Sequence, residues 1–485
     1  MKGVTNSLVN KNSTKRRLRL RALARTAVCA STMLNLLQLA SAQAVKEVFA
    51  FSSAHSSPGP SQVTPTQGRD GNLFGTTSGL GDVVTDGTVF RATTNGKEGA
   101  LHTFSGTDGA FPLAGVMLAT DSNFYGITAN GGASGLGVLF KVSPSGFYTV
   151  LYEFTGGGDG AYPVAPPIEG WDGNFYGTTG PGSGNAGTIY KYTPSGIFTT
   201  IFTFNSDNSQ GTQVESPLLQ ATDGNLYGIA NVGGTNNCGA IFAVSRSGLL
   251  LYDYSFPCGI GGSYPFGQLI QASDGYFYGT TQLGGTGCNS NGCGTVFRVT
   301  KSGSVSVLYR FIGGRNDGAE PAAGLVEGTD GNLYGSTFEA GAQNTGTLYQ
   351  VTTTGAEKLL YSFPERVGQH PSASLLQHTN GKFYGTAEAG GIYGEGALYS
   401  LDMGLGPFIT FVRPAGKAGK TAQILGQGLT GTTSVTFNGV EAASFNVVSD
   451  TYLTAVVPSG AITGSVVVAT PTGTMTSNVN FRISQ

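Results

Sequence analysis

Charge is what this sequence has least of. Lys, Arg, Asp and Glu make up 11% of its 485 residues, where globular domains ordinarily carry about 25%. That scarcity excludes long solvated helices laced with ion pairs and the basic stripe of a nucleic-acid binder. Histidine is scarce too. His55, His102, His370 and His378 are the full set, with no H-E-x-x-H pattern and no nucleophile elbow. No segment between residues 47 and 401 sustains helical periodicity, which excludes a helical repeat.

Glycine is plentiful at 78 residues, and much of it falls in register. The stretch Asp330-Gly331-Asn332-Leu333-Tyr334-Gly335 has seven versions, closing at Gly75, Gly126, Gly177, Gly228, Gly279, Gly335 and Gly385. A period of about 50 residues is the mark of a propeller or solenoid. Two aromatic columns keep the same phase. One runs through Phe90, Phe140, Tyr190, Phe242, Phe297, Tyr349 and Tyr399, the other through Phe51, Phe104, Phe154, Phe204, Phe256, Phe311 and Phe363.

Each period reads as four short strands, a to d. An Asp-Gly pair suited to a two-residue hairpin separates a from b, and a Ser-Gly or Thr-Gly turn separates c from d. The first recognisable strand, Val48-Phe49-Ala50-Phe51, is of type d, and the last, at Leu398-Tyr399, is of type c. The N-terminal strand therefore completes the seventh unit and closes a ring, hiding strand edges. The expected fold is all-β: a seven-bladed β-propeller over 47–403, followed by a small immunoglobulin-like β-sandwich over 407–485.

Residues 1–42 hold eight basic and no acidic residues, then a moderately apolar stretch and Ala40-Ser41-Ala42. This reads as a signal peptide, cleaved after Ala42 or Ala44. The stretch is too short and polar for a transmembrane helix, so the mature chain is expected not to be an integral membrane protein. Losing its eight basic residues takes the formal net charge from −2 to −10, which argues against a nucleic-acid partner. Cys238, Cys258, Cys288 and Cys293 remain. Cys238 and Cys258 flank strands c and d of one unit and face each other across the hairpin, while Cys288 and Cys293 lie in one loop. Two disulfides fit an exported chain better than a zinc site without paired C-x-x-C knuckles.

The phased units, for example residues 172–196, resemble the GloVer repeat of choice-of-anchor tandem-repeat proteins. That resemblance implies a secreted or cell-surface bacterial protein and brings no catalytic residues. The C-terminal segment is similar to an IPT/TIG domain in Pro414-Ala415-Gly416, Gly426-Gln427-Gly428, Phe437-Asn438-Gly439-Val440, Val457-Pro458 and Thr470-Pro471-Thr472-Gly473.

Loops b–c and d–a are the long, variable ones and share one face of the ring, where binding residues concentrate. Candidate ligand contacts there are Tyr162, Tyr264, Phe338 and Tyr393, with Arg315 and Glu320. The expected ligand is a carbohydrate or a protein. That reading calls for an aromatic face poor in carboxylates. The alternative, a polysaccharide hydrolase or lyase, requires facing carboxylates such as Glu320 and Glu339. No catalytic residue, metal site or cofactor is assigned. The hairpin aspartates lack D-x-D-x-D spacing for calcium. A further column stands three residues before each hairpin Asp or Asn: Gln67, Leu118, Glu169, Gln220, Gln271, Glu327 and Gln377. Bonding to a neighbouring unit's backbone is its expected role.

Overall fold

The computed structural model describes residues 44–52, 59–79, 86–288 and 290–484. The leader up to residue 43, with the cleavage position after Ala42, and His55 lie outside these, while the alternative position after Ala44 falls at the first residue of a strand. The described chain is all-β, with one 3-10 turn at Gly259–Gly261 as its helical content, and it is β-propeller-like.

Residues 44–402 form seven four-stranded antiparallel sheets. The third is typical: Ile168–Glu169 (a), Phe175–Thr179 (b), Thr188–Tyr192 (c) and Phe198–Thr203 (d). The seventh takes its d strand, Ala44–Ala50, from the start of the chain, paired antiparallel with Ala397–Asp402. This strand begins three residues before the boundary expected at 47, because its register runs the full length of the partner strand.

The tight turns also differ from expectation. In the first sheet Gly71 N–H donates to Gly68 O, and Gly68 N–H to Asn72 O. The loop is thus three residues long, with Gly71 alone at positive φ (74°). A two-residue type I′ turn would need two such residues. The preceding aspartate does the rest. Its Oδ1 accepts the N–H two residues on, as at Asp70, Asp121 and Asp172, and its Oδ2 accepts the hydroxyl of the strand-b tyrosine, as from Tyr125, Tyr176 and Tyr334. These carboxylates are turn-builders.

The three sequence columns turn out to be one interface. Each closing glycine lies beneath the c-strand aromatic of its own sheet. A Cβ on Gly228 would stand 2.3 Å from the Phe242 ring, and one on Gly335 2.5 Å from the Tyr349 hydroxyl. Across each junction between sheets, the d-strand Phe of one sheet packs on the c-strand aromatic of the next. Phe104 meets Phe140, Phe204 meets Phe242 and Phe363 meets Tyr399, with centroids 5.4, 5.0 and 4.9 Å apart. Phe51 of the seventh sheet meets Phe90 of the first at 5.3 Å in the same way. Such pairs add about 0.5–1.5 kcal/mol each beyond area burial. The same contact seven times explains a strict period.

Residues 409–483 form two further four-stranded sheets. One orders Thr410–Phe411, Thr421–Leu425, Tyr452–Val456 and Ser444–Ser449; the other orders Val440–Glu441, Ser434–Phe437, Val466–Thr470 and Gly473–Thr476. Both bury their apolar faces in one core around Ile424, Val435, Phe437, Leu453, Val468 and Phe481.

Candidate functional site

The two faces of the seven-sheet array have different fates. The face of tight turns is held by the C-terminal module. The polar column on strand a builds the inner part of this face. Each acceptor reaches back to the residue before the preceding sheet's hairpin aspartate or asparagine. Glu169 accepts from Thr120 N–H and hydroxyl, Gln271 from Thr222 N–H, Glu327 from Ser273 N–H and hydroxyl, and Gln377 from Thr329 N–H. Gln220 accepts from Trp171 N–H, and Gln67 of the first sheet latches Thr379 of the seventh at 3.0 Å.

Leu118 is the exception, and the module docks there. Leu118, Phe74, Val116 and Phe124 share a core cluster with Leu425 and Tyr452 of the module. With no acceptor opposite, Arg69 turns outward. Its guanidinium donates to Thr120 O at 2.9 Å, to Ser122 Oγ and to Gln423 Oε1 at 2.7 Å, and lies 4.7 Å from the Tyr452 ring centre. Arg413 pairs with the buried Glu169 at 3.2 Å, a carboxylate that the Thr120 latch already satisfies. Arg482 stacks on Trp171 at 4.3 Å, and Thr379 Oγ1 donates to Gly426 O.

The array surrounds an axial cavity of about 470 Å³. Thr410, Phe411, Val412 and Leu425 of the module line it at the tight-turn end, while Gln62, Glu215, Asn231 and Ser372 line it at the loop end.

The loop face carries both disulfides, Cys238–Cys258 and Cys288–Cys293, with Cα atoms 5.5 and 5.3 Å apart. It also carries a seven-membered column that the sequence reading did not assemble. Phe111, Tyr162, Gln213, Tyr264, Glu320 and His370 all have φ between 50° and 56°, and Gly59 at 60° is the seventh. A non-glycine residue in this region costs about 1–3 kcal/mol. The surroundings impose it by bonding both sides of the residue. Tyr162 N–H donates to Leu136 O, Tyr264 N–H to Cys238 O and Glu320 N–H to Cys293 O, while Phe111 O and His370 O accept from Ala129 and Glu388. Two of the anchoring carbonyls thus belong to disulfide cysteines.

Three of the six proposed contact residues, Tyr162, Tyr264 and Glu320, are therefore equivalent positions on one rim. Tyr162 is 45% and Tyr264 38% exposed. Phe338 joins them: its N–H donates to Glu320 O, and its ring lies 4.5 Å from that of His370. Tyr393, 56% exposed, and Arg315 sit in separate loops, away from this set. Phe111, Gln213 and His370 were missed. The available signal was the proline following the column residue, at Pro112, Pro163, Pro265, Pro321 and Pro371.

The face is not carboxylate-poor, contrary to expectation. Burial raises the pKa of Glu320, and the neighbouring Glu339 charge raises it further. Burial likewise raises Glu215 and Glu388. The reason lies in the repeat: strand-b ends and d–a loops vary from sheet to sheet, and several place a glutamate beside the cavity mouth.

A family model, the Gloeobacter/Verrucomicrobia repeat, matches residues 38–212, 168–313 and 287–441. No curated protein matches the chain. Solved structures with a similar course include the periplasmic gluconolactonase of Pseudomonas aeruginosa (16% identity, 69% of this chain and 96% of that one, TM-score 0.43). A gluconolactonase of Xanthomonas campestris aligns at 11% identity over 74% of this chain and 89% of its own, TM-score 0.37. A Bacteroides thetaiotaomicron protein of unknown function aligns at 14% over 74% and 76%, TM-score 0.41. At these values they carry no argument about activity.

Proposed function

Given that the chain belongs to the Gloeobacter/Verrucomicrobia repeat family, we propose that it is an exported, non-catalytic binding protein. In this reading a closed seven-bladed β-propeller spans 47–403 together with the strand from Ala44. An immunoglobulin-like IPT/TIG module, 407–485, covers its tight-turn face, and the loop face binds carbohydrate or protein at the cell surface or in the matrix. Ring closure is supported by Phe51 on Phe90 and Gln67 on Thr379, which repeat the contacts of the other junctions. Export is supported by the two disulfides.

The rim column carries the binding reading. The same positive-φ backbone recurs at Phe111, Tyr162, Gln213, Tyr264, Glu320 and His370 in successive sheets, and in this reading it presents these side chains at equivalent places on the loop face. The carboxylates on this face count against the reading as first framed, and exposed tyrosines beside amide and imidazole groups, which suit the apolar face and hydroxyl edge of a sugar ring, carry it. The test is a glycan array with the mature protein, each hit then incubated and checked for cleavage. Binding without cleavage, weakened about tenfold or more in the Tyr162→Ala/Tyr264→Ala double variant, is the expected result. A blank array would move the reading to a protein partner.

The alternative, a polysaccharide-active enzyme, draws on one observation. Glu320 and Glu339 lie close enough for the Glu339 charge to raise Glu320, the arrangement a general acid beside a carboxylate requires. Cleavage of an array hit, abolished by Glu320→Gln, would establish this reading and overturn the first.

A further inference from the structure

The axial cavity has walls of one character and an end of another. Val116, Val164, Ile168, Phe266, Leu375 and Phe411 make its body apolar. At the loop end Asn231 is only 6% exposed. Its Nδ2 donates to Glu215 Oε2 at 3.1 Å, which leaves Oδ1 as the amide atom without a bond. That oxygen is buried and has no hydrogen-bond partner among the described residues. A buried acceptor without a donor is costly, about 1–3 kcal/mol in proteins.

Two acidic side chains stand at the same end of the cavity, Glu215 in its lining and Glu388 behind Ser372. Glu215 forms no ion pair among the described residues, and burial holds its proton above the usual carboxylate range. Glu388, whose Oε1 accepts from the cavity-lining Ser372 hydroxyl, is held up by burial in the same way. A carboxylate or phosphate entering here would meet an unpaired carbonyl oxygen and two acidic groups. A hydroxyl or an amine would meet the partner that it lacks.

We propose that the axial cavity binds a small molecule with an apolar body and a hydrogen-bond-donating end, a hydroxyl or an amine, seated on Asn231 and Glu215. This goes beyond rim binding of glycans or proteins and does not rest on it. The module has a part in the site, since Phe411 and Leu425 line the end that receives the apolar tail.

The test is titration calorimetry of the full mature chain with octan-1-ol, octylamine and octanoate. The alcohol and the amine are expected to bind at one per chain, with octanoate at least about tenfold weaker. Asn231→Leu removes the acceptor while keeping the side chain's branching and should weaken the alcohol about tenfold. Glu215→Gln should weaken the amine and spare the alcohol, which separates the two kinds of ligand. Ala165→Trp fills the cavity and should abolish all binding; if it fails to fold, the Asn231 variant decides. Octanoate binding as tightly as octanol, no heat from any probe, or alcohol binding unchanged by Asn231→Leu would each overturn the proposal.

Discussion

The junction between the first and second sheets differs from the other six at one position of the strand-a column. At six junctions a Gln or Glu accepts from the preceding sheet and seals the inner edge. At the remaining one Leu118 accepts nothing, and Arg69 bonds across to Thr120, Ser122 and Gln423 instead. An aromatic contact persists at both kinds of junction. The ring-forming contact is thus separable from the latch, and giving up one latch leaves an apolar floor on which Leu425 and Tyr452 pack. A repeat protein gains an asymmetric docking site here by losing one polar residue.

The comparison can be broken most severely at Arg69. Arg69→Ala removes charge-assisted bonds to both partners of the odd junction and should lower stability by about 3 kcal/mol, read by chemical denaturation. Leu118→Gln restores the column consensus but buries an amide among Leu425, Tyr452 and Phe74. It should cost about 2 kcal/mol and loosen the module, seen as faster proteolysis between residues 403 and 407. Gln271→Leu removes an ordinary latch and leaves Thr222 N–H unpaired. A loss of about 1 kcal/mol with the module's protection unchanged would separate the two classes of junction.

Acidity provides a smaller probe, away from the odd junction. Glu98 and Glu357 begin strand d in the first and sixth sheets, and burial raises each from the usual 4.5 to about 7, with the Asp317 charge assisting at Glu357. The folded chain keeps these protons where the unfolded chain has released them. Stability should therefore fall as pH rises from about 4.5 to 7 and stay lower above it. The double variant Glu98→Gln/Glu357→Gln should flatten that part of the pH profile of Tm and leave module docking untouched.

How much of this could be read from the sequence follows the repeat. The glycine and aromatic columns were legible because one interface recurs at every junction, so any residue needed there shows seven times. Cys238–Cys258 and Cys288–Cys293 were legible from their places around a hairpin and within a loop. The docking of the module was not, because Arg69, Leu118, Arg413 and Tyr452 each occur once and meet only in three dimensions. Leu118 is the apolar member of a polar column, and nothing in the sequence said what would cover it. The rim column was half legible. Its prolines recur, yet six of its seven members are not glycine, so their positive φ left no trace in residue type. The turn length was misread for a related reason, since Asp-Gly fits both the two-residue loop and the three-residue one.

The central claim is that the module and the sheet array form one cooperative body joined at the odd junction. Differential scanning calorimetry of the mature chain and its Arg69→Ala variant tests it most directly. The account expects a single transition for the unaltered chain, and in the variant a separate, lower transition of the module's size. Two independent transitions in the unaltered chain, or an Arg69→Ala profile that superimposes on it, would contradict the account.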